Sequence, residues 1–454
     1  MMTEGSYTSR IADYALEFDY DDIPEEVVKH TKVVILDTVG AMLAASNPIY
    51  PASRIITEFV REQGGREEAT VIGRDFKTSS TNAALANGTM GYMCDIESHH
   101  VEAVLHEAAV LLPAALAVGE REGASGRDII TSFALGADVE TRLALALSPT
   151  GLYARGFHPS AVAGCFGSAV TAGKILGLGH GEFVNAFGLA GAQSSGLLAW
   201  ESDGTEMSRP FGPGIAARNG VTAALLAERG FGGPEVLEGK YTVFNAFSGE
   251  ARRHELLEGL GSRFEVMNLA FKRYSSCSFT HPGLDALLRI MGENDLDADE
   301  IEGIDVRFPT SGARLIDRSE LKSHNLQYIL SVGAHRRQVM IDDILFPQED
   351  SRIWGLSERV NLIYDDELDR FFPATMPTIV NVRTRDGRAF TDRVDSARGT
   401  PENPMTREEI EEKFRRMSRI TVDEELAEEI MEKVDGLERL GDVNELTALL
   451  RFKQ

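Results

Sequence analysis

The first half of this chain is dominated by alanine- and glycine-rich runs at helical spacing, above all AVAGCFGSAVTAGKILG at 161–177 and AARNGVTAALLAERG at 216–230. Side chains this small let helix axes approach closely, as a helix buried in the middle of a bundle requires. Helix packing accounts for these glycines. A phosphate-cradling loop would need them between a strand and a helix, and no strand pattern precedes them. Helical patterns also cover 82–93, 103–119, 126–147, 159–177, 182–197 and 213–229, separated by glycine-rich turns. The segment 22–46 opens with Asp22 as a capping residue, Pro24 near the first helical position and two early glutamates, then repeats apolar residues at helical spacing.

The pattern changes after about residue 262. A helix beginning near His281 precedes IEGIDVRFP, where Ile304, Val306 and Phe308 alternate as in a half-buried strand. Two more alternating segments flank Asp386 and Gly387, a hairpin signal. From PMTREEIEEKFRRMS onward the periodicity is helical again. The fold class expected is mainly α: a large all-helical domain over 1–262, with 405–454 packing back on it, and a smaller α+β domain over 263–404.

The formal charge is −25, from 71 acidic and 46 basic residues, a field that repels nucleic acid and anionic membrane surfaces. Neither is an expected partner. An anionic substrate would be repelled as well, so any carboxylate site must be a local basic cluster that overrides the global field. The three cysteines, Cys94, Cys165 and Cys277, are far apart and fit neither a disulfide framework nor a zinc or iron–sulfur site. With no signal or transit pattern at the N-terminus, a reducing, cytoplasmic setting is expected. The longest apolar run, 108–118, contains Pro113, which is expected to break it, and is far shorter than the ~20 residues that cross a bilayer.

Four polar spots stand in small-residue or apolar surroundings. The first holds Asp95, Ser98, His99, His100 and His106; its histidines can move protons if a neighbour such as Asp95 fixes their tautomer. It also reads as a solvated loop, or as a metal site without a standard ligand pattern such as HExxH. The second is His158, before a proline and an alanine/glycine helix: a cap, a satisfied core residue, or a group beside a carboxylate held at the helix N-terminus. The third is Arg209, in a Gly/Pro-rich loop before a helix, either an exposed loop charge or a bidentate fork for a carboxylate. The fourth is Lys272, Arg273 and Tyr274, near His281, where a lysine can offset charge on a carbon that loses a proton.

HPSAVAGCFGSAVTAGKILGL, the Lys-Arg-Tyr-x-Ser-Cys stretch at 272–277 and GTPENPMTREEIEEKF, in this order, resemble the MmgE/PrpD family along essentially the whole chain. The family includes 2-methylcitrate dehydratase, cis-aconitate decarboxylase and iminodisuccinate epimerase. The resemblance implies a helical domain containing both termini, an α+β domain, an active site in the cleft between them, and a homodimer. Asp95, His106, His158 and Lys272 resemble the family's catalytic residues; Ser98, His99, Arg209, Arg273 and Tyr328 are the candidate substrate-binding residues. Two motifs depart from the family: Arg209 and Gly212 stand where a lysine and a histidine are usual, and DIESHH replaces an Asp-Asp-Thr or Asp-Asp-Ser segment.

The expected function is that of a lyase on a small di- or tricarboxylic acid, working through a carbanion-like intermediate with neither metal nor other cofactor. Dehydration of a 2-methylcitrate-like hydroxy acid, a hydro-lyase reaction, is the first expectation because it is the family's commonest assignment. Decarboxylation or epimerisation is the near alternative. From other classes, a metal-dependent hydrolase would use Asp95, His99, His100 and His106, and a polyanion-binding paralogue would bind without turnover. Because polar cleft residues contribute little to a core, replacing His158 or Lys272 is expected to spare the fold.

Overall fold

In the computed structural model, which describes residues 5–347 and 349–453, the alanine- and glycine-rich runs become helices that cross at the centre of a bundle. Its main members are α1 (Glu25–Ala45), α2 (Ser80–Met93), α3 (Ala108–Glu122), α4 (Gly126–Leu147), α5 (Gly164–Ile175), α6 (His180–Gly191) and α7 (Ser208–Glu228). Where α2 crosses α7, a Cβ on Gly88 would stand 2.9 Å from the Gly214 Cα, and one on Gly214 would stand 2.6 Å from the Leu85 carbonyl oxygen. Where α7 crosses α5, a Cβ on Gly220 would lie 2.5 Å from the Ala169 nitrogen and 2.7 Å from the Cys165 carbonyl oxygen. Backbone cannot swing aside as a side-chain tip can, so these glycines set how closely the helices cross. Residues 1–4 of the N-terminal stretch, and Gln454 at the end of 405–454, lie outside the described residues.

The second part of the fold is a four-stranded sheet covered by helices. Its elements are α8 (His281–Glu293), β1 (Ile301–Pro309), α9 (Leu326–Arg336), β2 (Val360–Asp365), β3 (Thr378–Thr384) and β4 (Ala389–Val394). The strand order is β2-β1-β3-β4, with β1 parallel to β2 and the other pairs antiparallel. Ile304, Val306 and Phe308 alternate inward and are fully buried, as their period of two requires. Gly387 takes the left-handed φ of +88° that the turn between β3 and β4 needs. The apolar side chains divide accordingly into one cluster in the helical part and one around the sheet, and Leu198, Trp200 and Leu321 form a third, small cluster.

The chain then returns to the bundle through α10 (Arg407–Ser418) and α11 (Glu424–Asp435). Phe414 and Met417 lie against Gly40 of α1, and the buried Lys413 ammonium donates to the Ile96 carbonyl and pairs with Asp37 Oδ1, both at 2.6 Å. The fold is therefore mainly α, with the sheet confined to the C-terminal half.

Several elements differ from the expected ones, each for a local reason. The helix expected at 103–119 begins only at Ala108, because His99–His100 pairs with Leu269–Ala270 and Val104 sits at φ +49°. Pro113 does not break the apolar run, which is continuous inside α3, although no described helix is long and apolar enough to cross a membrane. The helix expected to reach 197 ends at Gly191, and Leu197 pairs instead with Phe157. The 159–177 helix divides into Pro159–Val162 and α5. Asp22 does not cap α1; its carboxylate accepts from the Asp19 amide while Pro24 stands at the cap. The parallel strand β2 was not expected, since its exposed Ile363 and Tyr364 blur the alternation.

Gly220→Ala is expected to cost about 1–3 kcal/mol through overpacking against backbone. By contrast Gly181→Ala, where an added Cβ meets nothing within 4 Å, should be neutral or stabilising by up to about 1 kcal/mol. Chemical denaturation of both variants checks the pair, and equal losses would contradict the crossing geometry.

Candidate active site

The site begins where α2 ends. Asp95 turns the chain at φ +48°, a left-handed conformation that short polar side chains tolerate better than most. The chain then runs extended, and His99 and His100 pair antiparallel with Ala270 and Leu269. Continuing that register by two residues sets Lys272 opposite Glu97. The Lys272 ammonium donates to Asp95, and lies 3.3 Å from Glu97 Oε1.

Around this pair the helical part contributes three more groups. The His106 amide donates to Ser160 Oγ at 2.9 Å, and its ring Nδ1 lies 2.7 Å from Glu97 Oε1. Since that oxygen already accepts from Lys272, Nδ1 carries the ring proton and Nε2 keeps its lone pair. His158 stands at the start of the Pro159–Val162 helix, its amide donating to the Gly196 carbonyl at 3.0 Å, and its ring lies 6.1 Å from that of His106. Arg209 lies in the first turn of α7, not in a loop before it; Pro210 falls within that first turn, where a missing N–H costs little, whereas Pro213 lies inside the helix. Its guanidinium covers the Tyr92 ring at 4.5 Å and stands 3.5 Å from Asp95 Oδ2 and 3.7 Å from Glu206 Oε2. From the sheet side, Ser323 donates to Glu206 from both backbone and hydroxyl, and the His324 ring lies 5.5 Å from Trp200, which in turn lies 5.6 Å from His158.

Burial and charge set the protonation states. Burial alone would raise the Asp95 carboxyl, but Arg209 and Lys272 outweigh it and hold Asp95 well below the usual range. Burial raises Glu97, and Lys272 offsets it only in part. Burial pushes His106, His158 and His99 well below the usual imidazole range, with Lys272 adding to the effect at His106 and His99, and His106 and Arg209 adding to it at His158. The result is a set of neutral imidazoles beside permanent cations, which can accept a proton or, once protonated beside a bound anion, return it.

A cavity of about 380 Å³ opens beside this group, lined by His158, Arg209, Ser208, Trp200 and apolar side chains. Arg209 Nε and Nη1 and Asp95 Oδ2 are buried without a hydrogen-bond partner among the described residues. Buried polar groups are seldom left so.

Of the residues singled out from sequence, Asp95, His99, His106, His158, Arg209 and Lys272 gather here. Ser98 is buried nearby with an unpartnered hydroxyl. Arg273 does not join them: half exposed, it faces Asp285 at 3.9 Å, because successive residues of an extended segment point opposite ways. Tyr328 also lies elsewhere, in the core over the sheet, where its hydroxyl donates to the Asp343 carbonyl at 2.6 Å. His100 turns towards Glu265, 3.6 Å away, so the metal-ligand set Asp95, His99, His100 and His106 does not form. Asp95, Glu97 and His106 do present ligand atoms within 4.8 Å of one another, but the Lys272 ammonium bonds both carboxylates and supplies the positive charge there. Sequence reasoning missed Glu97, Tyr92, Trp200, Glu206 and His324. Only Glu97 carried a signal, standing two residues after Asp95 and so on the same side of an extended segment.

These features define a mainly α protein whose two parts meet around a buried acid–base cluster, with a cavity of about 380 Å³ beside it. A family model for the MmgE/PrpD N-terminal domain matches residues 9–255 and one for the MmgE/PrpD C-terminal domain matches 274–438, and the chain belongs to this family. It is similar to a cis-aconitate decarboxylase of Aspergillus terreus, 28% identical over 98% of this chain and 95% of that protein. It is also similar to the cis-aconitate decarboxylase-like protein oryM of Aspergillus oryzae, at 27% over 98% of each chain. The cis-aconitate decarboxylase of Homo sapiens is 27% identical over 94% of this chain and 91% of that protein.

Lys272 is 1% exposed and compensates two buried carboxylates, so its replacement is expected to cost stability, where the sequence alone suggested that the fold would be spared. Lys272→Met should cost about 3–5 kcal/mol, and adding Glu97→Gln should recover part of that loss, as read by urea denaturation. Behind His106, burial pushes Glu107 up to about 7, partly offset by His100. A carboxyl raised in the folded state binds its proton more tightly there than when unfolded, so its contribution to stability is present below the unfolded value and lost as pH rises from about 4.5 to about 7. Glu107→Gln should therefore flatten the fall in stability across that window; an unchanged slope would contradict a proton held on Glu107.

Proposed function

We propose that this chain is a lyase acting on a small unsaturated carboxylic acid, and that the bond it breaks is the one to a carboxylate leaving as carbon dioxide. The observation that carries this reading is the buried Arg209 guanidinium lining a cavity together with His158: its Nε and Nη1 make no hydrogen bond among the described residues, the Glu206 and Asp95 carboxylates standing 3.7 and 3.5 Å away. A bidentate cation of this kind matches a carboxylate and holds it against the neutral imidazoles. The similarity to cis-aconitate decarboxylases moves the choice of bond from the dehydration expected on family grounds to decarboxylation.

The step balances without any group beyond the chain and its substrate. The carbon–carbon bond to the departing carboxylate breaks, and its electron pair becomes a new double bond. The original double bond shifts its pair to the far carbon, which takes a proton from an imidazolium. His158 supplies that proton: a substrate carboxylate at Arg209 adds negative charge in a low-dielectric cavity, opposing the burial that otherwise keeps the ring neutral. Lys272 and Arg209 stabilise charge that develops on the substrate as it reacts. Asp95 and Glu97 hold the two cations and the His106 ring in place, and removing a general acid of this kind costs roughly 100- to 10,000-fold in rate.

Proton NMR in D2O with cis-aconitate, citrate and 2-methylcitrate tests the reading. Decarboxylation with one deuterium placed on the product carbon, lost in His158→Ala, is the expected outcome. Loss of water from a hydroxy acid would replace the decarboxylase reading by the dehydratase one, and the absence of exchange or conversion with every acid would reject lyase chemistry on this panel.

A further inference from the structure

The cavity beside His158 carries more information than its acid–base group. Ser208, Phe211, Gly212 and Ile215 of α7 line it at the i, i+3, i+4, i+7 spacing of one helix face. The facing wall includes Leu197 and Trp200. Among the described lining residues Arg209 is the one permanent cation, and most of the remaining lining is apolar.

The apolar part of the cavity is unusually open. Leu197 is 64% and Phe211 45% exposed at its mouth, although apolar side chains of this size are ordinarily drawn inward. Gly212 lines the same cavity. Its φ is not left-handed, and a Cβ built on it would meet only the Ala161 Cβ, at an ordinary 3.6 Å. The backbone therefore does not require glycine here, unlike at Gly214 and Gly220, and a glycine inside a helix costs about 1 kcal/mol relative to alanine. What the missing side chain does provide is width.

Resting on the lyase reading above, we propose that the substrate is a carboxylic acid bearing an apolar arm of several carbons, its carboxylate at Arg209 and His158 and its arm passing over Gly212 along Phe211, Ile215 and Leu197. Binding of unreactive 2-alkylsuccinates, measured by calorimetry against succinate, tests this directly. Affinity should rise about three- to fourfold for each methylene added, up to the length of the cavity. Gly212→Phe and, independently, Ile215→Asp should abolish the rise, while Gly212→Ala should keep it for short arms. Affinity that does not change with chain length, or a gain that survives both Gly212→Phe and Ile215→Asp, would overturn the proposal. So would a second copy of the chain covering Leu197 and Phe211 at working concentration. Chain-length-dependent binding without turnover of any alkylated or plain unsaturated acid would leave the cavity assignment standing and remove the lyase reading. Equal turnover of plain and alkylated acids with flat binding would do the reverse.

Discussion

The Lys272 ammonium, bonded to Asp95 and close to Glu97 with almost no exposure to water, is the interaction on which the rest of the site depends. Taking three charges out of water costs far more than any single contact returns, and only a geometry that satisfies all three makes the burial tolerable. That geometry has consequences beyond the pair. The lysine pins Glu97, Glu97 accepts the His106 ring proton, and Arg209 balances the second oxygen of Asp95. The same cations and the same dryness keep the imidazoles neutral. Stability and chemistry are thus held by one network, and a change to any member is felt by both.

A chain with a formal charge of −25 faces a particular difficulty in drawing in an acid. Long-range attraction is unavailable, so recognition falls to contacts made at close range inside a low-dielectric cavity, where a guanidinium is worth much more than at the surface. Glu206 and Ser323 add to this by linking the start of α7 to the sheet side of the cleft. Arg209 is therefore held from both sides of the cleft, by Asp95 beneath it and by the Glu206 link beside it.

Much of this was legible before any coordinates. The small-residue runs at 161–177 and 216–230 announced a close helix crossing, which occurs where Gly220 meets Cys165 and Ala169. The alternation of Ile304, Val306 and Phe308 announced the strand they occupy. Asp95, His106, His158 and Lys272 stood out as polar groups in small-residue or apolar company. The rest was hidden for physical reasons. The Glu206–Ser323 link and the His324–Trp200 contact each span more than a hundred positions, and local patterns carry no trace of such pairing. Tyr328 and Arg273 share motifs with the site, yet the direction of a side chain from its backbone sends one into the core over the sheet and the other to the surface. Helix ends misread at 103 and 197 lie where backbone pairing with a distant segment, or a left-handed residue, overrides local propensity.

The two-residue pairing of His99–His100 with Leu269–Ala270 is small, but it joins residues separated by most of the helical part of the chain. Asp95 and Lys272 are 177 positions apart. During synthesis at a typical 5–20 residues per second, Asp95 is made roughly 9–35 s before its lysine exists. For that interval the Asp95 and Glu97 carboxylates must stay hydrated or protonated, and the cleft cannot close around them. Assembly of the site thus waits on the delivery of a charge, and it comes into being only when the second half of the chain arrives to neutralise the first.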